Sequence, residues 1–195
     1  MVWLDGLDMH MVNFFETSFR EGHDVFDEGI GYALDKPDDD SFARYGNNLL
    51  PVDDEHHRHT SPIFNYPYER TRDALAKMKR RNKWDNWHGL LLKYMNPKTG
   101  DYAIPTLATF IQLLPKGFKT HPMRTTSSTV FVCTEGAGAT TVEGKALRWG
   151  SRDVFVVPSW ARFTHDAAEE AVLFSYSDRG VQEKLGYYRE QKFDA

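Results

Sequence analysis

After Asn86 the sequence breaks into short apolar or alternating runs separated by turn residues, a pattern through which no long helix can be drawn. The runs are Leu90–Met95, Thr106–Leu114, Thr129–Thr134, Ala139–Val142, Asp153–Val157 and Ala171–Tyr176. Between them stand Asn96-Pro97-Lys98-Thr99-Gly100, Pro115-Lys116-Gly117, Glu135-Gly136, Glu143-Gly144 and Trp149-Gly150. Glycine and proline at those points favour reversals, and many short strands at close spacing imply a sandwich or small barrel. A short helix is predicted at the end, over Val181–Tyr188.

The residues before Asn86 read differently. Leu7, Met11, Phe14, Phe15 and Phe19 recur at helical spacing with Gly22 as a stop, which predicts an amphipathic helix over residues 8–21. Residues 35–62, rich in Asp, Pro, Asn and His, read as an irregular connecting arm. A second helix starts near Pro67 and passes through Arg70, Ala74, Leu75 and Met78. It ends on Lys79-Arg80-Arg81, whose charges suit the negative helix terminus. At 195 residues the chain has room for one full domain and an arm. The division expected is an arm over 1–87 and a barrel with its terminal helix over 88–195.

A net charge of -4 gives no electrostatic footprint for nucleic acid or an anionic membrane. No apolar run approaches the roughly 20 residues that a spanning helix needs. Cys133, the lone cysteine, excludes an internal disulfide and fits a reducing compartment. The first residues, Met1 to Gly6, lack a basic stretch followed by an apolar one, so no secretory signal is expected. The expectation is a soluble cytoplasmic protein.

The strand-rich part carries the glycine frame of the two cupin motifs. In its metal-binding form the first motif is a Gly, five residues, His-x-His, three or four residues, Glu, six residues, Gly. Here Gly117 leads to Met123, Thr125, Thr129 and Gly136 at that spacing. The second motif is a Gly followed by Pro-x-Gly-x-x-His, and here Gly150 leads to Pro158-Ser159-Trp160-Ala161-Arg162-Phe163. All four ligand positions are replaced. A facial iron(II) site needs three imidazole or carboxylate donors, which a thioether, two hydroxyls and a benzene ring do not supply. His165 shares the strand face of Phe163 by alternation, and one imidazole binds iron weakly. The expected fold is therefore all-β: an antiparallel cupin barrel (double-stranded β-helix, jelly-roll) over residues 88–178, preceded by a helical arm. Its lumen is expected to be filled by side chains, Met123, Thr125 and Phe163 among them.

The flanking strings are more specific than the frame. Trp3-Leu4-Asp5-Gly6-Leu7-Asp8, Asn48-Leu49-Leu50-Pro51, Ser61-Pro62, Tyr66-Pro67-Tyr68-Glu69-Arg70-Thr71-Arg72 and Asn96-Pro97-Lys98-Thr99-Gly100 resemble the gentisate 1,2-dioxygenase family. So do Leu114-Pro115-Lys116-Gly117-Phe118, Asp153-Val154-Phe155-Val156-Val157-Pro158-Ser159-Trp160 and Leu173-Phe174-Ser175-Tyr176-Ser177-Asp178-Arg179. They run in the family's order from residue 2 almost to the end. The resemblance implies an oligomeric bicupin that uses Fe(II) and O2. Such enzymes open gentisate, or a related hydroxybenzoate or hydroxynaphthoate, between the carboxyl-bearing and adjacent hydroxyl-bearing carbons. In the family the iron sits on three histidines of the amino-terminal cupin. The string resembling Trp3-Leu4-Asp5-Gly6 follows that cupin's last ligand motif. The sequence is thus expected to start where the catalytic cupin ends, with 1–87 as the inter-cupin arm.

That resemblance also supplies the single catalytic candidate, Asp5, which the family places beside the iron-bound substrate. A carboxylate there orients or accepts a proton from a ring hydroxyl; without the first cupin it is an exposed terminal Asp. No Fe(II) is expected on this chain itself. A hydroxybenzoate is expected as a partner only together with an amino-terminal cupin, and a homo-oligomer is expected from the family.

Other side chains have both a sharp and a plain reading. Glu55-His56-His57-Arg58-His59 contains His-x-His beside a carboxylate, but in a polar arm with no fourth ligand at fixed spacing it is a weak metal pattern. Arg70, Arg72, Arg124, Arg162 and Arg179 are able to grip a carboxylate. Structural roles are expected instead: pairing on the helix face for Arg70 and Arg72, a strand end for Arg179, and an outward course for Arg162. Met123, Trp160 and Phe163 lining a pocket for a small aromatic ligand is set against a filled core, the commoner fate of a small barrel. Cys133, next to Val130-Phe131-Val132, reads as a buried small residue rather than a nucleophile. Two functions compete: part of a ring-opening dioxygenase, or a non-catalytic stand-alone cupin for oligomerisation or small-aromatic-acid binding. In either case the amino-terminal helix and arm predict an exposed apolar patch.

Overall fold

The computed structural model describes residues 4–19, 40–54 and 59–194. Within them the chain forms α1 (Met9–Phe14), α2 (Asp40–Tyr45) and α3 (Tyr68–Lys79), then β1 (Leu90–Lys93), β2 (Ala108–Leu114), β3 (Met123–Thr125), β4 (Thr129–Glu135), β5 (Ala137–Val142), β6 (Lys145–Gly150), β7 (Val154–Val157), β8 (Phe163–Ala167) and β9 (Ala171–Ser177). It closes with α4 (Arg179–Lys184) and β10 (Glu190–Lys192). The strands build two five-stranded sheets, in the orders β1-β2-β9-β4-β7 and β10-β3-β8-β5-β6. Every pairing is antiparallel. This is the cupin jelly-roll that the glycine frame predicts.

Two-residue alternation sorts the side chains. On β9, Leu173 joins Phe131, Phe155, Trp149 and Phe163 in the core between the sheets, while Val172 faces the other way. On that outer face α3 lies across the first sheet. Leu75, fully buried, packs with Leu90, Ile111, Leu113 and Val172. Polar contacts fix the helix in register. Tyr68 donates to Glu135 over 2.6 Å, and Arg72 reaches Glu135 at 2.9 Å and Glu170 at 3.0 Å. These pairs are part-exposed and individually weak, so the apolar contact supplies most of the docking. Arg72 thus pairs across to the sheet and not along its own helix. Gly136, at φ 82°, belongs to the same junction: a Cβ there would lie 2.2 Å from the Glu170 carbonyl.

Several expectations need correction. The helix expected over 8–21 is one turn and a half, Met9–Phe14, and Glu16 leaves it at φ 53°; residues 20 and 21 lie outside the described ones. Among the described residues Leu7, Phe14, Phe15 and Phe19 are exposed, and a helix this short has little to sustain it by itself. The predicted irregular arm holds α2, beyond which Tyr45 donates to Asp54 over 2.8 Å and Lys98 pairs with the same carboxylate. The terminal helix runs from Arg179 to Lys184, not Val181 to Tyr188. The chain then returns as β10, which pairs with β3 and carries the sheet beyond residue 178. No helix among the described residues is long and apolar enough to cross a membrane.

If burial of Leu75 anchors α3, Leu75→Ala lowers unfolding free energy by about 2–5 kcal/mol. Arg72→Met, which removes only part-exposed pairs, costs about 1 kcal/mol or less. Urea unfolding followed by tryptophan fluorescence measures both.

Candidate functional site

The four motif positions meet between the sheets. Met123 and Phe163 are direct partners in the β3–β8 register, and both are buried. With Thr125 and Thr129 they line one cavity of about 60 Å³. The lumen is therefore not completely filled, whereas the sequence predicts a core filled by side chains. Phe131, Phe155 and Phe163 pack its apolar end. The other end is polar, because the inward positions of β2 and β9 are Gln112, Ser175 and Ser177, and Ser127 follows β3. Those serines were passed over in the sequence, where they look like ordinary interruptions of apolar runs.

His165 is the centre of the lumen. It is buried to 1% exposure and ringed by Phe131, Phe163 and Phe155 at centroid distances of 5.0, 5.3 and 6.2 Å. Burial pushes its pKa down to about 3, so the ring is neutral at physiological pH. Its tautomer follows from its partners. The Trp149 indole, a donor only, donates to the Thr140 hydroxyl over 2.9 Å. That hydroxyl lies 2.7 Å from His165 Nδ1, and a buried hydroxyl proton goes to an available acceptor. Thr140 therefore donates to Nδ1, and Nε2 carries the imidazole proton.

Arg179 stands at the polar end. Its guanidinium lies 4.3 Å from the Tyr188 ring centroid, and its Nε bonds Glu183 at 2.7 Å. The side chain also borders an outer pocket of about 480 Å³, which shares His88, Leu91 and Phe110 with the lumen. His88 is held below the ordinary histidine pKa, chiefly by burial. Placing Arg179 merely at a strand end missed this. It opens α4 and so hangs over the lumen, a placement fixed only by the tertiary fold.

The donor set does not fit iron(II). The motif positions present a thioether, two hydroxyls and a phenyl ring, and the imidazoles lining the cavity are His88 and His165. Among the described residues no three His, Cys, Asp or Glu side chains come together. Of the arm cluster, Glu55 to Arg58 lie outside the described residues, and His59 is exposed with its carbonyl accepting from Asn96 at 3.3 Å. Asp5 is exposed. Its neighbours run along the outer side of the first sheet: Gly6 abuts the Tyr176 ring, and Asp8 accepts from Thr106 at 2.5 Å. Asp5 and the lumen are thus on opposite sides of that sheet.

The remaining candidates have structural surroundings. Arg70 covers the Phe42 ring at 3.9 Å, Arg124 the Trp160 ring at 4.5 Å, and Arg162 the Phe193 ring at 4.4 Å. Trp160 lies outside the lumen, part-exposed, so only Met123 and Phe163 of that trio line it. Cys133 is fully buried, its thiol pushed up to about 11 mainly by burial, and it donates to the Glu135 and Gly136 carbonyls.

No protein-family model matches the sequence. Over 192 residues the chain is 52% identical to gentisate 1,2 dioxygenase 1 of Aquipseudomonas alcaligenes, covering 98% of this chain and 54% of that protein. It is 38% identical to the 5-aminosalicylate 1,2-dioxygenase of Comamonas sp, covering all of this chain and 51% of the relative. The chain spans about half the length of the curated relatives it matches. Among solved structures, a variant of salicylate 1,2-dioxygenase from Pseudoaminobacter salicylatoxidans in complex with gentisate superposes with a TM-score of 0.83 at 26% identity. That match covers 96% of this chain and 53% of the other.

The buried neutral imidazole has a consequence for stability. The unfolded chain protonates His165 below about 6.5, whereas the folded one does so only near 3. Its contribution is thus complete above 6.5 and drains away as the pH falls through that interval. Denaturant unfolding between pH 7 and pH 4 should show this loss. His165→Leu should flatten it, at a fixed cost of about 1–3 kcal/mol for stranding the Thr140 hydroxyl.

Proposed function

Since this chain belongs to the gentisate 1,2-dioxygenase family as a carboxy-terminal cupin half, we propose that it is the metal-free part of an Fe(II)-dependent ring-opening dioxygenase. The substrate class is gentisate or a related hydroxybenzoate, and the product a maleylpyruvate-type acid. The iron belongs to an amino-terminal cupin, and the working enzyme is a homo-oligomer in the cytoplasm. In this reading residues 1–87 form the inter-cupin arm and 88–195 the second cupin. The observation that carries it is identity of 52% along 98% of this chain, set beside a lumen whose four ligand positions are Met123, Thr125, Thr129 and Phe163. Bound iron supplies the site where the substrate's carboxylate and hydroxyl meet O2.

Asp5 is the residue of this chain proposed to act there. Its exposed position on the outer side of the first sheet leaves the carboxylate available to a neighbouring domain, where it orients a ring hydroxyl proton. The lumen is not proposed as the ring site. Its volume of about 60 Å³ is far below the roughly 300–1,000 Å³ typical of pockets for drug-sized ligands.

The test is coexpression with the amino-terminal half of the Aquipseudomonas alcaligenes relative. The complex should hold iron on that half and open gentisate, read as absorbance of the product, while this chain alone with added Fe(II) should not. Asp5→Asn should lower kcat roughly 100-fold or more without releasing iron. Turnover by the isolated chain, or an unchanged rate in Asp5→Asn, overturns the respective assignment.

A further inference from the structure

His165 brings to the lumen a ring nitrogen, Nε2, for which no hydrogen bond is formed among the described residues. His165 Nδ1 is taken by Thr140, which leaves the Nε2–H of a fully buried, neutral ring directed into the cavity that the residue lines. A buried N–H is costly unless something accepts from it. The rest of the polar lining carries positive charge and neutral groups. It includes the guanidinium of Arg179, a donor only, and the hydroxyls of Thr129, Ser175 and Ser177, which donate or accept, and it contains no Asp or Glu. Of Arg179, only Nε is engaged by Glu183, so its terminal nitrogens remain as donors. Opposite this polar end lie Met123, Phe131 and Phe163.

We propose that the lumen is a binding site for a small aliphatic monocarboxylate. Its carboxylate accepts from His165 Nε2–H and pairs with Arg179, and its short carbon end rests on Met123, Phe131 and Phe163. Charge selects the anion, since the lining holds one cation, whose Nε alone pairs with Glu183, and no Asp or Glu lines the cavity itself. Size selects the class. About 60 Å³ holds a few water-sized groups, at roughly 10–15 Å³ for each, which admits acetate or propionate but not an aromatic ring. Access is through the outer pocket, where Arg179, Lys93 and Lys192 outnumber Glu183 and Glu190. The site is independent of the catalytic reading, because it lies wholly within this chain and needs no iron.

The test uses the whole chain, nitrogen-15 labelled, titrated with sodium acetate at constant ionic strength against sodium chloride. The imidazole resonance of His165 reports directly on Nε2–H. Saturable movement with a dissociation constant in the millimolar range is expected of a ligand of about four heavy atoms. Acetamide, the same shape without the charge, should bind at least about tenfold more weakly. Benzoate should leave the His165 signal unmoved. Arg179→Gln should weaken acetate by about tenfold or more. It sits at the edge of the cavity, and its fold is checked by retention of the His165 signal in the unliganded protein. Because His165→Phe risks misfolding, Ser175→Val serves as the second interior variant, again expected to weaken acetate. Absence of saturable movement, equal binding of acetamide, or equal displacement by chloride overturns the proposal. The first two outcomes make the cavity a water site, and the last an unselective anion site.

Discussion

Strand β9 is hydrogen-bonded on both edges, with Ser175 opposite Phe110 of β2 and Phe131 of β4. That double register fixes both faces of the first sheet together. Moved by one residue, Val172, Phe174 and Tyr176 would enter the lumen, while Leu173, Ser175 and Ser177 would lie under α3. The buried seat of Leu75 and the polar end of the cavity are thus two consequences of one alignment. The register shift between Cys133 and Glu135 completes it. A bulge turns the strand end locally, and Glu135 reaches outward to Tyr68 and Arg72. Gly136 follows directly, where the backbone passes too close to Glu170 for any side chain.

Inside, a second constraint acts through direction and not through packing. The Trp149 indole can only donate, so the Thr140 hydroxyl must pass its own proton on to His165. Three strands, β6, β5 and β8, contribute one residue each to this chain of bonds. It satisfies the Trp149 indole and the Thr140 hydroxyl within the protein and turns the other imidazole nitrogen to the lumen side. Aromatic rings around the imidazole keep it from charging. The imidazole becomes a fixed polar group between the apolar end of the lumen and its polar end.

What was readable from the sequence is what local geometry sets. Glycine spacing and two-residue alternation put Met123, Thr125, Thr129 and Phe163 into one lumen, and His165 on the face of Phe163, because strand phase carries across a tight turn. β6 and β10 were missed, since their side chains face solvent for most of their length and leave no apolar alternation to detect. α1 was overdrawn because helical spacing marks an apolar face but not the length over which a helix is held. Thr140 escaped notice, and Arg179, named only as following a strand end, was not placed at the lumen, for a different reason. Thr140 meets His165 from 25 residues away, and Arg179 gains its place only when α4 turns back over the sheet ends.

Trp160 shows what the glycine frame is for. It stands where the second motif has glycine, and its backbone keeps the left-handed turn at φ 61°, which costs a residue with a side chain about 1–2 kcal/mol. Its amide donates to the Thr125 carbonyl over 2.6 Å, and its ring lies beneath Arg124 at 4.5 Å. A cation over an indole contributes about 0.5–1 kcal/mol at such a part-exposed site, which offsets much of that strain. The turn then delivers Phe163 into the lumen in the phase a ligand histidine would need. The motif's glycine is therefore not required to set this turn. The pairing of β3 with β8, and the bond from Trp160 back to Thr125, are sufficient to hold it.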